Sequence, residues 1–237
     1  MSDMRGGPDP VRVHESLGVA VAEPASRALA EDATVSELRF PAFFDRVPRI
    51  RLHDPLAQLL GAAGVLEYGY ADAVRLAGHS CPTVASAYWL GVRALSALYP
   101  EALPVRGQIR VELRDSVETG TIGVVANVLS LLTGAASAGG FKGLGGQHVR
   151  RDLLRFDAPI ATELRFTRTD TGAAINAQAH PQRVAGNPRT MPLLQRCVAG
   201  QASAAEQAEF GALWQERVRS LLLDHAFDDA VFELAAA

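Results

Sequence analysis

The stretch GHSCP at residues 78–82 constrains the local fold more than any other part of the sequence. Glycine enters the left-handed conformation that closes a helix at little steric cost, so Gly78 predicts the end of one helix. Proline fits the first turn of a helix, so Pro82 predicts the start of the next. Apolar residues then recur at helical spacing, at Val84, Tyr88, Gly91, Leu95 and Leu98. The sequence therefore predicts two consecutive helices joined by a turn that contains His79 and Cys81.

Strand patterns follow these helices. The segment QIRVELRD, residues 108–115, alternates apolar and polar side chains, which is the period of a half-buried strand. The segments RRDLLRFD and IATELRFTRTDTGAAINAQAH indicate later strands, with TDTG as the turn of a hairpin. We therefore expect an α+β fold in which helices pack on one face of a mixed or antiparallel sheet.

Three further helices are predicted from local signals. Asp54 can cap a helix that Pro55 begins. The segment GTIGVVANVLSLLTGAASAGG is too long for one strand and indicates a helix. Ser203 and Glu206 form an S-x-x-E capping box ahead of a C-terminal helix, which we expect to cover the core. The predicted organisation is an N-terminal arm (residues 1–45), a core (46–190) and a C-terminal helical extension (191–237).

Charge and hydropathy exclude several classes of partner. The formal net charge is -3 and the isoelectric point is about 6.1, so the chain has no global attraction to nucleic acid or to anionic lipid. The longest apolar run, residues 122–136, is shorter than the roughly 20 residues that a membrane span needs. The first residues contain no apolar signal segment, which favours a cytoplasmic location. We expect a small-molecule partner, no nucleic acid and no membrane.

The turn before Pro82 is the main candidate for chemistry. The positive end of a helix dipole would attract a negatively charged sulfur at Cys81, and His79 lies two positions before it. Imidazole and thiolate together suit zinc or another borderline-soft metal, or they could act as base and nucleophile. Alternatively, Cys81 is a small buried apolar residue and His79 bonds the backbone. Zinc also needs a third and usually a fourth ligand, and the sequence has no C-x-x-C or H-E-x-x-H.

A family resemblance supports the metal interpretation. The run GHSCPTVASAYWLGVRAL, the strand after it, GVVANVLSLLTGAASAGGFKGL and RRDLLRF together resemble the FmdE-like family, which takes its name from one component of formylmethanofuran dehydrogenase. The resemblance covers residues 66–156 and is most specific at residues 78–82. It implies an α+β core, a homodimer and a metal site built around His79 and Cys81. The zinc ribbon of some relatives is absent from this sequence.

The sequence departs from the family pattern at three positions. Typical members carry a cysteine where this chain has Val124, an aspartate where it has Asn127 and another cysteine where it has Ala135. This chain therefore has fewer of the ligands that form the thiolate-rich site of the family, and the chemistry of methanofuran is not carried over to it.

Other side chains could complete a site around the turn. Asn127 is polar within an apolar helix, so it either lines a pocket or is a satisfied core amide. Lys142 lies in the glycine-rich loop AGGFKGLGG, which lacks the order of a phosphate-binding loop, and it either meets an anionic group or is solvated. Tyr70 either lines an apolar pocket near His79 or packs in the core. The reserve ligands are Asp115, Glu118 and His148.

Two functional hypotheses follow, and both have a divalent transition metal as cofactor, with zinc as the first expectation. In the first, the protein is a metal-dependent or redox-linked enzyme that acts on a small molecule. Cys81 and Lys142 are then the catalytic residues, and Tyr70 and Asn127 bind the cofactor. In the second, the protein is a non-catalytic carrier or sensor of a metal or of a metal-containing cofactor. A third, purely structural interpretation has no metal at all.

Overall fold

The computed structural model describes residues 40–237, in which helices and strands alternate along the chain. The strands of this part are β1 (Ile50–His53), β2 (Val65–Tyr68), β3 (Ile109–Leu113), β4 (Leu154–Arg155), β5 (Leu164–Arg168), β6 (Ala174–Ala179) and β7 (Phe232–Ala236). Its α-helices are α1 (Pro55–Leu59), α2 (Tyr70–Ala77), α3 (Pro82–Leu98), α4 (Ile122–Thr133), α5 (Thr190–Val198) and α6 (Ala204–Arg219). Short 3₁₀ helices span Ala42–Arg46 and Pro181–Arg183, and a π-helical turn, Ser220–Asp224, follows α6.

The main sheet is mixed. Its strands lie in the spatial order β4-β3-β5-β6-β7, and β1 and β2 form a separate antiparallel pair. β3 and β4 run parallel, whereas every other pair of neighbours in the main sheet is antiparallel. The predicted α+β fold with a mixed sheet is therefore confirmed.

The alternation that predicted β3 matches its burial. Ile109, Val111 and Leu113 are fully buried, and the residues between them are partly exposed. Val111 lies opposite Phe166 of β5, which is also fully buried, so both strands present their apolar face to the same core. The predicted hairpin is present as β5 and β6, paired antiparallel on either side of the TDTG turn.

Helix α3 lies at the centre of the packing. It contacts α4 on one side and β5, β6 and β7 on another, and 12 of its 17 residues are buried. Gly91 brings α3 and α4 close together, because a Cβ atom added there would lie 2.7 Å from Cδ1 of Leu132. The predicted C-terminal helix is α6, which packs against α5 and α3 and begins with the Ser203–Glu206 capping box.

The helix ends follow the glycine and proline signals. Gly78 closes α2 with φ +76°, and Pro82 begins α3 after Cys81 in an extended conformation. Gly134 closes α4 with φ +71°. The segment RRDLLRFD forms a strand of two residues, shorter than its apolar pattern suggested, because Asp152 beside it adopts φ +61° and interrupts extended structure.

Two predictions from the sequence concern the ends of the chain and its relation to a membrane. Most of the predicted N-terminal arm lies outside the described residues. The predicted C-terminal extension contributes α6 and also β7, which pairs with β6 at the edge of the main sheet. Among residues 40–237, no helix combines the length and the apolar character that a membrane crossing requires.

Candidate functional site

The turn between α2 and α3 places His79 in solvent and Cys81 in the core. The Nδ1 atom of His79 lies 3.0 Å from the carbonyl oxygen of Ala77, and the ring is exposed. Cys81 is 8 % exposed and is not disulfide-bonded, and its Sγ accepts a hydrogen bond from the amide of Val84 at 3.5 Å. The sulfur therefore caps α3, and the Nε2 atom of His79 is left for another partner.

The turn is also held by a polar network around Ser80. The hydroxyl groups of Tyr70 and Ser80 lie 2.9 Å apart, and the Ser80 hydroxyl donates to Oε1 of Gln215 at 2.9 Å. The carbonyl of Ser80 accepts a hydrogen bond from the indole N–H of Trp214 at 3.0 Å. Burial raises the pKa of Tyr70, whose side chain is 1 % exposed. Tyr70 thus holds Ser80 from within the core, and Ser80 ties the turn to α6.

The side chains of the described residues do not form a complete zinc site. Residues 40–237 contain no group of three or more His, Cys, Asp or Glu side chains placed to hold one metal ion. His79 and Cys81 would supply at most two of the three or four protein ligands that zinc takes in proteins. Any further ligands would have to come from outside residues 40–237 of the same copy, for example from a bound molecule or from a second copy of the chain.

The other predicted site residues lie apart from this turn. Asn127 is exposed on α4, and Lys142 is exposed in the loop that follows α4. The reserve ligands Asp115 and His148 are partly buried, whereas Glu118 is exposed. Catalytic and cofactor-binding roles for these residues stay predictions.

A pocket of about 250 Å³ lies beside the amino-terminal half of α3, and we call it the Ser86 pocket. Its walls come from α3, from the start of α4, from the residue before β5 and from the end of β6 with the turn after it. The lining residues are Thr83, Ser86, Ala87, Leu90, Thr121, Val125, Glu163, Ala179, Pro181 and Gln182. Cys81 lies two residues before Thr83 in sequence, but it is not part of this lining.

Two polar groups of the Ser86 pocket are unusual for their environment. The hydroxyl of Ser86 is buried and has no hydrogen-bond partner among the described residues. Burial raises the pKa of Glu163, and the amide of Ala179 donates to its Oε2 at 3.3 Å. A hydroxyl without a partner and a desolvated carboxyl group in the lining of one pocket can bind a polar ligand.

A second pocket, of about 330 Å³, lies at the carboxyl end of α4, and we call it the Arg150 pocket. Its lining residues are Asp54, Leu56, Ala57, Leu60, Ala62, Arg106, Gly134 and Arg150. Asp54 is the centre of its charges: Oδ2 accepts from Nη1 of Arg106 at 2.5 Å, and Oδ1 accepts from Nη2 of Arg150 at 2.7 Å. The amides of Leu56 and Ala57 also donate to Oδ1, so Asp54 caps α1 as the sequence predicted.

The pKa values of Asp54 and Arg150 are both lowered, but for opposite reasons. Burial works against the ionised form of Asp54, but the amide of Ala57 and the two guanidinium groups outweigh it, so the pKa of Asp54 is lowered. Burial and the nearby charge of Arg106 lower the pKa of Arg150, although Asp54 opposes this. The carboxylate is well stabilised, whereas the guanidinium of Arg150 is incompletely compensated.

Local sequence patterns carry little sign of either pocket. Ser86 is a polar residue within the apolar run of α3, which is a signal comparable to the one that singled out Asn127. Glu163 directly precedes β5, where strand ends often carry functional side chains. Arg106 and Arg150 have no spacing that links them to Asp54, because the fold brings three distant segments together.

Comparison with protein-family models gives no match for this chain, and comparison with curated proteins gives none either. The resemblance to the FmdE-like family therefore stays a prediction from the residues that carry it.

Proposed function

We propose that the protein binds a small, uncharged polar molecule in the Ser86 pocket. The observation that carries this proposal is that Ser86 lines the pocket and that its buried hydroxyl finds no hydrogen-bond partner in residues 40–237. A buried hydroxyl without a partner costs about 1–3 kcal/mol relative to a satisfied one. A bound ligand that accepts or donates a hydrogen bond would remove this cost.

The position of Ser86 in α3 strengthens the proposal. Its neighbours Ala85 and Ala87 are buried alanines, so an alanine at position 86 would fit the same packing and would suit a helix better. A serine therefore gives the fold no stability over an alanine at this position. Contact with a ligand would explain why the position carries a hydroxyl group.

The other walls of the pocket define the class of ligand. Thr83, Thr121 and Gln182 add neutral polar side chains, and Glu163 adds a carboxyl group. Arginine and lysine do not occur among the lining residues from the described part of the chain, so an anion would meet Glu163 with no arginine or lysine side chain on the pocket walls. The chemistry favours a neutral ligand rich in hydroxyl or amide groups.

The test compares Ser86→Ala with a matched variant on the same helix. Ser96 is an exposed residue of α3, so Ser96→Ala removes a hydroxyl far from the pocket lining. Binding of xylitol, with its carboxylate counterpart xylonate as the charged control, is measured by NMR titration, and stability by urea unfolding. We expect xylitol to bind, xylonate to bind more weakly, and Ser86→Ala to weaken xylitol binding while stability stays equal or rises.

Three results would contradict the proposal. If Ser86→Ala binds xylitol as the unaltered protein does, the hydroxyl is not a ligand contact. If xylonate binds as tightly as xylitol, the ligand class is wrong. If Ser96→Ala weakens binding as much as Ser86→Ala, the effect does not come from the pocket.

A second proposal follows from the turn before α3: a cytoplasmic FmdE-like homodimer that binds zinc or a related metal through His79 and Cys81. The supporting observation is the contact between Nδ1 of His79 and the carbonyl of Ala77. In metal sites this second contact fixes the ring and presents Nε2 to the metal. Because residues 40–237 of one copy supply at most two ligands at this turn, the proposal assigns the remaining ligands to a second copy or to a bound molecule.

Elemental analysis tests the metal proposal, with both cysteines as a matched pair. Protein is purified without chelators as the unaltered chain, as Cys81→Ser and as Cys197→Ser, and its oligomeric state is measured by sedimentation. We expect bound metal in the unaltered chain and in Cys197→Ser, and its loss in Cys81→Ser. Equal metal content in all three proteins, or none in any, refutes the assignment.

A further inference from the structure

The Arg150 pocket contains more positive charge than its own carboxylate balances. Each side-chain nitrogen of Arg106 already has an acceptor: its Nη1 donates to Asp54, its Nη2 to the carbonyl of Leu131 at 3.0 Å and its Nε to that of Leu132 at 3.3 Å. Both oxygens of Asp54 are also occupied. Among the described residues, one carboxylate therefore faces two guanidinium groups, which leaves one positive charge in excess.

The excess charge is concentrated on Arg150. Its side chain is 9 % exposed, and its Nη2 donates to Asp54. Its Nη1 is buried and has no hydrogen-bond partner within the part of the chain that the structure describes. Because burying an unpaired N–H of a charged group is costly, this atom indicates a missing acceptor.

Arg150 is held at the pocket wall by two glycines. A Cβ atom on Gly134 would overlap Nη1 of Arg150, and one on Gly107 would lie 2.8 Å from its Nε. Both glycines have positive φ, +71° and +83°. The backbone therefore leaves the space that the guanidinium occupies, and Arg150 is in a defined place before any ligand binds.

Another part of the pocket lining is apolar. It comes from α1 and the turn after it and consists of Leu56, Ala57, Leu60 and Ala62. Leu60 is 65 % exposed, which is high for a leucine that lines a pocket. A ligand with an apolar part would cover this surface as its charged part meets the guanidinium groups.

We propose that the Arg150 pocket binds a monocarboxylate with a short apolar chain, with the carboxylate on the Arg150 guanidinium and the chain against Leu56, Leu60 and Ala62. A single negative charge matches the single excess positive charge. The planar guanidinium matches the two oxygens of a carboxylate. The apolar wall has no complementary group for the remaining oxygens of a phosphate.

Hexanoate is the probe that tests this proposal, with hexan-1-ol and inorganic phosphate as comparisons. Arg150→Gln removes the charge, and Arg155→Gln removes the charge of an exposed arginine outside the pocket. Isothermal titration calorimetry of the whole chain should show saturable hexanoate binding that Arg150→Gln weakens about tenfold or more and that Arg155→Gln leaves unchanged. Hexan-1-ol and phosphate should each bind more weakly than hexanoate.

A second variant keeps the test decisive if Arg150→Gln does not fold. Ala62 is exposed at the rim, so Ala62→Phe fills the apolar half of the pocket without touching the charges. Ala102→Phe, at another exposed turn position, is its control. We expect Ala62→Phe to lose hexanoate binding and Ala102→Phe to retain it. The proposal is overturned if hexanoate does not bind, if hexan-1-ol or phosphate binds as tightly, or if Ala62→Phe binds hexanoate normally.

Discussion

Gly134→Ala is a substitution for which the structure predicts a large loss of stability. Gly134 closes α4 at φ +71° and ψ 5°, and its amide donates to the carbonyl of Ser130 at 2.9 Å. An added methyl group would overlap Nη1 of Arg150. The guanidinium would have to move, and its bond to Asp54 would be lost.

The magnitude has two parts. An L-residue in the left-handed conformation costs about 1–2 kcal/mol relative to glycine. Breaking a buried ion pair and leaving its charges uncompensated costs about 3–5 kcal/mol. The sum for Gly134→Ala is therefore about 4–7 kcal/mol, which is a large fraction of the roughly 5–15 kcal/mol that stabilises a typical domain.

Gly78→Ala is a control that has only the backbone cost of the left-handed conformation. Gly78 closes α2 at φ +76° and ψ -2°, its amide donates to the carbonyl of Val74 at 2.8 Å, and an added Cβ would meet open space. The difference between the two variants isolates the displacement of Arg150. It corresponds to a further fall in melting temperature of roughly 6–20 °C for Gly134→Ala.

Urea unfolding followed by circular dichroism measures the stability of both variants. The same substitutions in an Arg150→Ala background complete a double-mutant cycle. In that background Gly134→Ala should cost no more than Gly78→Ala does, because the overlapping group is absent. If Gly134→Ala and Gly78→Ala destabilise the unaltered protein equally, the packing of Arg150 on Gly134 contributes nothing, and the reasoning about the Arg150 pocket fails with it.

Three further predictions concern single groups. Asp54→Asn should lower the free energy of unfolding by about 3–5 kcal/mol at neutral pH. Since the pKa of Asp54 is lowered in the folded state, the stability that its carboxylate contributes is present above the unfolded pKa and is lost as pH falls. Urea unfolding at varied pH should therefore show a smaller loss of stability at acidic pH for the variant than for the unaltered protein. Because the pKa of Glu163 is raised in the folded state, the folded protein loses stability as pH rises and this carboxyl group ionises. Glu163→Gln should therefore match the unaltered protein in stability near pH 4 and become the more stable of the two at higher pH. A difference in stability that does not change with pH contradicts this. Ser203→Ala should cost about 1 kcal/mol by removing the capping box with Glu206, and an unchanged urea midpoint contradicts it.

Local signals made the helices and strands around the core predictable. Gly78 and Pro82 act within one turn of chain, and the alternation of β3 depends on neighbouring residues alone. The elements that these local patterns predict are present in the fold because no tertiary contact opposes them. The two-residue length of β4 was not predictable in this way, since the positive φ of Asp152 is a property of the loop that precedes it.

The pockets could not be predicted, because their residues are distant in sequence. Ser86 meets the region of Glu163 once α3 packs across β5 and β6. The sequence identified Asp54 correctly as a helix cap, but the same carboxylate also binds Arg106 and Arg150, and no local pattern contains that information. Cys81 shows the opposite case: its position at the start of a helix was predicted, and its sulfur caps that helix.

The two pockets differ in how strongly they require a ligand. The hydroxyl of Ser86 is neutral, so the folded protein tolerates it without a partner at a modest cost. The guanidinium of Arg150 is charged and nine-tenths buried, and one carboxylate serves both it and Arg106. Uncompensated charge inside a protein is far more costly than an unpaired hydroxyl. An anion in the Arg150 pocket should therefore bind more tightly than a neutral ligand in the Ser86 pocket, and at equal free ligand concentration it should stabilise the fold more.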